Sequence, residues 1–344
     1  MLEKKTKRLL ALDAFRGLAA LAVVLFHYTM FTPQAELGFK YGVTGVDIFF
    51  LFSGFVVLLS FKESNTIRQL VVGRIARLYP AYWIAVLFTG FLFWYYNVNT
   101  ADQLHEFKIT LVANLSMLQY YFQRPNLDGP YWTMKYEVLF FAFMLLVFAF
   151  KCIKHIEWVA LVGILFTALY SLIFKSFCVS WFLILQNWVP ILSHFALFMA
   201  GIIFYKIRTE GANLQRIIMV FLAYLVQLSC FENGGRSKFF ITFEAYFIIL
   251  TVYFIILFLL IYDRLNFLAN APLLFLGSIS YPLFLIHQFL SRSVIIAVLV
   301  TYEHYSFWAS AAIALLVCVC LATLITRYLE KPIGDWIKTI GGIK

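Results

Sequence analysis

Apolar stretches of about 20 residues recur along the whole chain of 344 residues, and each is long enough to cross a lipid bilayer. Hydrophobic residues make up 63% of the chain and charged residues only 13%, with a mean hydropathy of +0.87. A water-soluble protein of this size needs more polar surface than that. The stretches are continuously apolar rather than alternating, which favours helices over a transmembrane β-barrel. The sequence therefore predicts an integral membrane protein.

The predicted fold class is all-α, a polytopic helical membrane bundle of about ten transmembrane helices. The segment 175–187 is ambiguous, and fits a short re-entrant or interfacial piece. The predicted spans are 9–31, 43–61, 78–96, 134–150, 157–174, 188–205, 217–232, 240–262, 272–299 and 307–327.

Basic residues are distributed unevenly between the two sets of predicted loops. If the N-terminus is cytoplasmic, the side that holds both termini carries most of the 27 Lys and Arg residues, which also explains the net charge of +10. The positive-inside rule then places both termini in the cytoplasm. No soluble basic domain exists to bind nucleic acid. Because no linker rich in Pro, Gly or Ser interrupts 1–344, we predict a single transmembrane domain with no appended soluble domain.

The first span, LDAFRGLAALAVVLFHY, carries Arg16 and, eleven positions later, His27. At about 100° per residue, eleven steps return a helix to within roughly 20° of its starting face, with the two residues about 16 Å apart along the axis. Titratable side chains inside a membrane are costly and usually face a protein interior or a substrate path. Neutral imidazole suits a general base that activates a hydroxyl. The alternative interpretation is a histidine that only bonds between helices.

Three further titratable residues fall at a predicted depth similar to that of His27. Asp47 lies near the outer end of the second span, Glu137 near the outer end of the fourth, and His287 well inside the ninth. Glu137 could instead be a helix-start acid that interacts with the dipole, and His287 a satisfied interhelical histidine. We predict that these groups form one polar cluster in which Asp47 or Glu137 orients the imidazole of His27.

The connection between the second and third predicted spans contains Arg74 and Arg77. These residues are three apart, hence on one face if the stretch is helical. Guanidinium groups bind phosphate bidentately and stay charged, so the pattern indicates a fork for phosphate. Ordinary positive-inside charge is the alternative interpretation.

Several segments, taken in order, resemble the acyltransferase-3 family, integral membrane enzymes that acylate sugars and other acceptors. They are LDAFRGLAALAVVLFH, GVTGVDIFFLFSGFVV, RIARLYPAYW, YWTMKYE, LGSISYPLFLIH and the EKP at 330–332. The resemblance implies O-acylation: transfer of an acyl group, expected to be acetyl, from cytoplasmic acyl-coenzyme A to a hydroxyl of a saccharide or lipid-linked glycan. The implied location is the bacterial cytoplasmic (inner) membrane, and no metal is required.

Specific residues take predicted roles in this reaction. His27 is expected to be the catalytic base, and the roles of the other catalytic candidates are left open, as is the choice between direct transfer and a covalent acyl-enzyme. The catalytic candidates are His27, Glu137, Asp47 and His287; the donor-binding candidates are Arg16, Arg74 and Arg77; the substrate-binding candidates are Trp132, Thr133 and Ser53.

An alternative function is a proton-coupled secondary transporter, or an exporter of lipids or glycans. The same buried His, Asp and Glu side chains could relay protons across the membrane. Pro282 within the ninth predicted span is a modest sign of the interrupted helices that such transporters use. The ordered family segments and the arginine pair favour the enzyme.

Overall fold

The structure is a computed structural model that describes residues 9–64, 66–233 and 235–343. It is 84% helical and has no strand among those residues. The α-helices in the described part of the chain are α1 (Leu10–Thr29), α2 (Gly45–Glu63), α3 (Ile67–Asn97), α4 (Ala101–Leu115), α5 (Met134–Ala149), α6 (Ile156–Ala168), α7 (Lys175–Phe177), α8 (Val179–Trp188), α9 (Phe195–Glu210), α10 (Leu214–Ser229), α11 (Phe243–Ile261), α12 (Ala271–Gln288), α13 (Ala297–Thr301), α14 (Phe307–Leu324) and α15 (Lys331–Ile340).

Shorter helical elements connect or extend these helices. The π-helical segments are Leu169–Phe174, Phe289–Ile296 and Ile325–Glu330. The 3-10 helices are Pro33–Leu37, Phe39–Thr44, Gly129–Thr133, Cys152–His155, Pro190–Ser193, Ser237–Phe239 and Asn266–Leu268.

Eight helical segments of the described chain are long and apolar enough to cross a membrane. Two shorter helices, α9 and α10, come between the fifth and sixth of these segments in chain order. Each predicted span therefore has a helical counterpart. The predicted polytopic helical bundle is confirmed. The eight segments are Leu10–Thr29, Phe39–Glu63, Ile67–Asn97, Gly129–Ala149, Cys152–Phe177, Phe243–Ile261, Ala271–Thr301 and Phe307–Ile340.

Helix α3 begins well before the third predicted span. The side chain of Thr66 accepts a hydrogen bond from the backbone N–H of Gln69 and caps the first turn, 3.2 Å between the two atoms. Hydropathy did not detect this start because the first turns are polar. Arg74 and Arg77 therefore lie on a helix of 31 residues and not in a loop.

The ambiguous segment 175–187 forms two short helices, α7 and α8. In α8 the rings of Trp181 and Trp188 are 61% and 70% exposed, whereas Phe182 is buried. Ten residues are too few to cross a bilayer, and Trp is enriched at membrane–water interfaces. These features favour an interfacial helix.

The helices form two compact units, which are described separately. The first unit contains the described residues within 1–19, 40–65 and 139–275. The second unit contains those within 20–39, 66–138 and 276–344.

In the first unit, α2 packs closely against α9. A Cβ atom on Gly54 would lie 2.0 Å from the carbonyl oxygen of Phe198, and one on Gly201 would lie 2.1 Å from that of Leu51. Small residues at such crossings let helix backbones approach each other in membranes. Phe198 also stacks on Phe140, with ring centroids 4.3 Å apart. Glycine is therefore required on both helices of this crossing.

Ion pairs join α2, α6, α9 and α10 in the same unit. Arg216 Nη2 lies 2.8 Å from both Glu157 Oε1 and Glu210 Oε2. Lys206 contacts the same two carboxylates, and Lys62 Nζ lies 3.2 Å from Glu210 Oε1. Each acid therefore contacts at least two cations, and we refer to these five residues as the ion network.

In the second unit, Asn114 fastens the connection between α4 and α5. Its Nδ2 donates to the carbonyl oxygen of Pro125 at 2.9 Å, and its Oδ1 accepts from the amide of Leu127 at 3.1 Å. Its own carbonyl oxygen accepts from the hydroxyl of Tyr82 on α3, at 2.7 Å. The long connection is thus held against two helices by one buried side chain and its backbone.

The glycines of the first unit support a stability prediction. We expect Gly54→Ala and Gly201→Ala each to lower the free energy of unfolding by about 1–3 kcal/mol, because the new Cβ must push the helices apart. The measurement is the melting temperature of the purified protein in detergent. The control is Gly73→Ala, since a Cβ there meets nothing within 4 Å. A Gly54→Ala protein that melts at the wild-type temperature would contradict the close approach.

Candidate active site

Helix α1 carries both residues of the spacing that the sequence singled out. It is a continuous α-helix, so Arg16 and His27 lie about 16 Å apart along its axis. Arg16 Nη1 is 3.8 Å from Asp13 Oδ1, one turn earlier, and both side chains are partly exposed. His27, in contrast, is only 8% exposed. The helix therefore holds a cation in its first half and a buried imidazole near its C-terminal end.

The imidazoles of His27 and His287 contact each other within the second unit. His287 Nε2 lies 2.9 Å from His27 Nδ1, and the ring centroids are 4.9 Å apart. His287 has no exposed surface and lies at the end of α12. Of the four titratable residues that the sequence predicts at one depth, these two are in direct contact.

The neighbouring carbonyl groups determine which nitrogen atoms of this pair carry hydrogen. His287 Nδ1 lies 2.8 Å from the carbonyl oxygen of Phe284 and 3.2 Å from that of Leu283, so it must donate. In neutral imidazole the other nitrogen then accepts, and His287 Nε2 accepts a hydrogen bond from His27 Nδ1. The carbonyl oxygen of Val23 lies 3.0 Å from His27 Nδ1 and can only accept, so it too requires a hydrogen on that nitrogen. We infer that the lone pair of His27 lies on Nε2.

Arg74 and Glu137 form an ion pair in the second unit. Arg74 Nη2 donates to Glu137 Oε2, and the two side chains are 12% and 16% exposed. The sequence assigns them different predicted roles, donor binding for Arg74 and orientation of an imidazole for Glu137, but the structure joins them. Arg77, one turn along α3, is exposed. The two arginines of the predicted fork therefore differ in exposure.

Asp47 contacts a histidine that the sequence did not single out. It lies in the first turn of α2 in the first unit, and its Oδ1 is 3.2 Å from Nδ1 of His194. Both residues are buried, at 2% and 5% exposure. Tyr246 lies in the same unit, and its hydroxyl accepts a hydrogen bond from Gln227 Nε2 at 3.2 Å. The predicted partner of Asp47 was the imidazole at position 27; in the structure the imidazole that its carboxylate contacts is that of His194.

A signal for His194 is nevertheless present in the sequence. It falls inside the predicted span 188–205, so the rule that singled out His27 and His287 applies to it equally. In the structure it follows the 3-10 helix Pro190–Ser193, directly before α9. A histidine outside any recognised segment is easily passed over.

The three predicted substrate-binding residues occupy different environments. The hydroxyl of Thr133 is buried and donates to the carbonyl oxygen of Pro130 at 2.9 Å, within its own 3-10 helix. The ring of Trp132 packs edge-on against Tyr136, with centroids 5.4 Å apart. Ser53 lies on α2 in the first unit, beside the glycine that contacts α9. Thr133 therefore stabilises the 3-10 helix Gly129–Thr133.

Residues able to bind a charged ligand can be compared by their accessibility. Within residues 9–64, 66–233 and 235–343, no group of three or more His, Cys, Asp or Glu side chains is arranged to hold a metal ion. Arg77 is an exposed guanidinium on α3, and such a group binds phosphate bidentately. Arg77 is therefore the arginine of the predicted fork that is more accessible to an anionic donor.

A polytopic helical protein with a buried, hydrogen-bonded imidazole pair has the features of a membrane enzyme that uses acid–base chemistry. Residues 9–327 match the sequence model of the acyltransferase-3 family, Acyl_transf_3. This family is described as an acyltransferase domain. The chain therefore belongs to this family and is a membrane acyltransferase. Both the predicted family and the predicted enzyme class are confirmed.

A similar curated protein is the exopolysaccharide production protein ExoZ of Rhizobium meliloti (strain 1021). It is 31% identical to this chain over 114 residues. The match covers 30% of this chain and 33% of ExoZ, so the chain spans about a third of this relative's length. No solved structure matches the chain.

The ion pair between Arg74 and Glu137 can be tested by a double-mutant cycle. We expect Arg74→Ala or Glu137→Ala alone to cost about 3–5 kcal/mol, because each leaves a charge in a largely buried place. The double variant should lose less stability than the two single variants combined. Thermal unfolding in detergent supplies the free energies.

The matched control for this cycle is the pair Arg124–Glu106, in which the carboxylate side chain is 62% exposed. An exposed pair contributes about 0–1 kcal/mol, so its cycle should show little coupling. Equal coupling energies in the two cycles would contradict a stabilising role for the largely buried Arg74–Glu137 pair.

Proposed function

We propose that the protein transfers an acyl group, acetyl in the simplest case, from acyl-coenzyme A to a hydroxyl of a saccharide or lipid-linked glycan, with His27 as the general base. The observation that carries this proposal is the hydrogen bond between His287 and His27, because it leaves a lone pair on His27 Nε2. The name of the relative ExoZ, an exopolysaccharide production protein, supports a saccharide acceptor. We place the protein in the bacterial cytoplasmic membrane with both termini in the cytoplasm.

The proposed reaction is a direct transfer. The acceptor hydroxyl oxygen bonds to the thioester carbon while its proton moves to His27 Nε2. The carbon–sulfur bond then breaks, and the departing thiolate of coenzyme A takes that proton from the imidazolium. The products are the ester and free coenzyme A, and His27 returns to its starting form. General-base catalysis of this kind contributes about 10²–10⁴-fold to a rate.

In this proposal His287 is a positioning residue. It holds the ring of His27 in the form that has hydrogen on Nδ1, as a carboxylate does in a catalytic triad. When His27 becomes imidazolium, the same Nδ1–H still donates to His287 Nε2. His287 in turn donates to the carbonyl oxygen of Phe284, so the new charge meets a chain of oriented dipoles.

Arg77 takes the role of phosphate ligand for the donor. It is exposed on α3, and an exposed guanidinium group can bind phosphate bidentately. Arg16 is a second donor-binding candidate, on the same helix as the base. The nucleotide end of coenzyme A is anionic, and a guanidinium group remains charged at any working pH.

Substitution of the two histidines tests the proposed base. Purified protein in lipid nanodiscs is incubated with radiolabelled acetyl-coenzyme A and an exopolysaccharide hydrolysate, and labelled saccharide and free coenzyme A are measured. We expect His27→Ala to lower kcat at least about 100-fold. We expect His287→Ala to lower kcat less, and His287→Gln to restore part of it, because an amide oxygen can accept from His27 Nδ1.

The control for this experiment is His105→Ala, which removes an exposed histidine of α4 and should leave turnover unchanged. Wild-type turnover by His27→Ala would remove the proposed base.

Substitution of Arg77 tests donor binding separately from chemistry. We expect Arg77→Ala to raise the KM for acetyl-coenzyme A about tenfold with little change in kcat, because a charge-assisted phosphate contact is lost in the ground state and the transition state alike. The control is Lys108→Ala. It removes an exposed cation of α4, between the third and fourth predicted spans, a connection that the predicted topology puts on the side opposite the termini. An unchanged KM in the Arg77 variant would argue against the phosphate contact.

A further inference from the structure

The connection between α4 and α5 meets the end of α12 through a buried carboxylate. Asp128 is 2% exposed, and its Oδ1 and Oδ2 lie 3.1 Å and 3.2 Å from the backbone nitrogen of Phe289. Oδ1 also accepts from the backbone N–H of Gly129, at 2.7 Å. One side chain therefore holds the start of the 3-10 helix Gly129–Thr133 and a backbone amide of another helix at once.

Phe289 is the residue at which α12 gives way to a π-helix, Phe289–Ile296. The carboxylate gives its N–H an acceptor from outside the helix, and a side chain that enters a helical hydrogen-bond ladder is a known cause of distortion. Single π-turns within longer helices are frequent at functional sites. His287 lies two residues before this change of winding.

A second contact joins the same two segments one residue away. An ideal Cβ on Gly129 would lie 2.0 Å from Oε1 of Gln288, so a side chain at position 129 would displace Gln288. The two residues that follow His287 are therefore both contacted by the pair 128–129. On its other side, His287 is held by its own hydrogen bonds to Leu283 and Phe284.

We propose that Asp128 is a positioning residue for the acyl transfer: it holds the helix end that follows His287, and through His287 it maintains the orientation of His27. This inference rests on the proposed role of His27. Asp128 contacts neither imidazole in this arrangement, so its effect is on geometry. The connection between α4 and α5 then contributes to catalysis as well as linking two helices.

The ionisation of Asp128 agrees with a role as hydrogen-bond acceptor. Burial raises the pKa of Asp128 to about 7, although the backbone N–H groups of Phe289 and Gly129 oppose the rise. A neutral amide with one accepting oxygen should replace it well.

The test compares Asp128→Ala with Asp128→Asn in the nanodisc assay. We expect Asp128→Ala to lower kcat about 10- to 100-fold, the cost of a misplacement of about 1 Å, with the KM for acetyl-coenzyme A unchanged. Asp128→Asn should keep kcat within about threefold of wild type, because its Oδ1 still accepts from both amides. Gly129→Ala should lower kcat like Asp128→Ala, by displacing Gln288 at the same contact.

The matched control is Asn126→Ala, in the same connection. It removes the bond from Gln119 Nε2 to Asn126 Oδ1, 2.7 Å, and leaves the contact between 128 and 289 in place. We expect it to leave kcat near wild type. If Asn126→Ala is as slow as Asp128→Ala, or if Asp128→Ala keeps its kcat, the positioning role is overturned.

Amide hydrogen exchange separates this inference from the proposed function. We expect Asp128→Ala to speed exchange in the peptide that spans 286–292, and Asp128→Asn and Asn126→Ala to leave it unchanged. A wild-type protein that transfers no acyl group would overturn the proposed function and, with it, the catalytic consequence of Asp128. Unchanged exchange in Asp128→Ala would overturn the inference even if the wild type is active.

Discussion

The arrangement at His27 depends on two backbone carbonyl groups that can only accept hydrogen bonds. Phe284 and Leu283 present their oxygens to His287 Nδ1 and thereby place its hydrogen. The remaining nitrogen of His287 then places the hydrogen of His27, a choice that the carbonyl group of Val23 independently requires. A lone pair on His27 Nε2 follows from these contacts. The form of this side chain is therefore set by backbone carbonyl groups of its own helix and of α12.

A neutral imidazole in place of the usual carboxylate partner changes the energetics of such a site. A buried carboxylate would stabilise an imidazolium more strongly, but a charge in an apolar interior is costly in the resting state. His287 avoids that cost and still fixes the orientation of His27. The two carboxylates that the sequence predicted as partners of His27 are engaged with other residues, Glu137 with Arg74 and Asp47 with His194.

Hydropathy was sufficient to predict the eight segments that are long and apolar enough to cross a membrane, because a stretch of twenty apolar residues has few alternatives to a membrane helix. It missed the first turns of α3, where helix formation follows from the cap at Thr66 and from propensity in a polar stretch. The partners of buried titratable residues were harder to predict. Depth along a span narrows the choice, but Asp47 meets His194 because α2 and α9 are neighbours, and local hydropathy contains no information about which helices are adjacent.

Polar groups that pair with one another differ in whether the pairing leaves a lone pair available for chemistry. In the ion network of the first unit, Glu157 and Glu210 each contact at least two cations, so donors and acceptors satisfy one another and the helices are held together. The imidazole pair of the second unit is directional: His287 Nδ1 donates to a carbonyl group, His27 Nδ1 donates to His287 Nε2, and the last nitrogen in the series, on His27, carries a lone pair. Pairing of the first kind cancels charge, and pairing of the second kind prepares a base. A candidate base is therefore distinguished from a structural contact more by the direction of its hydrogen bonds than by its burial.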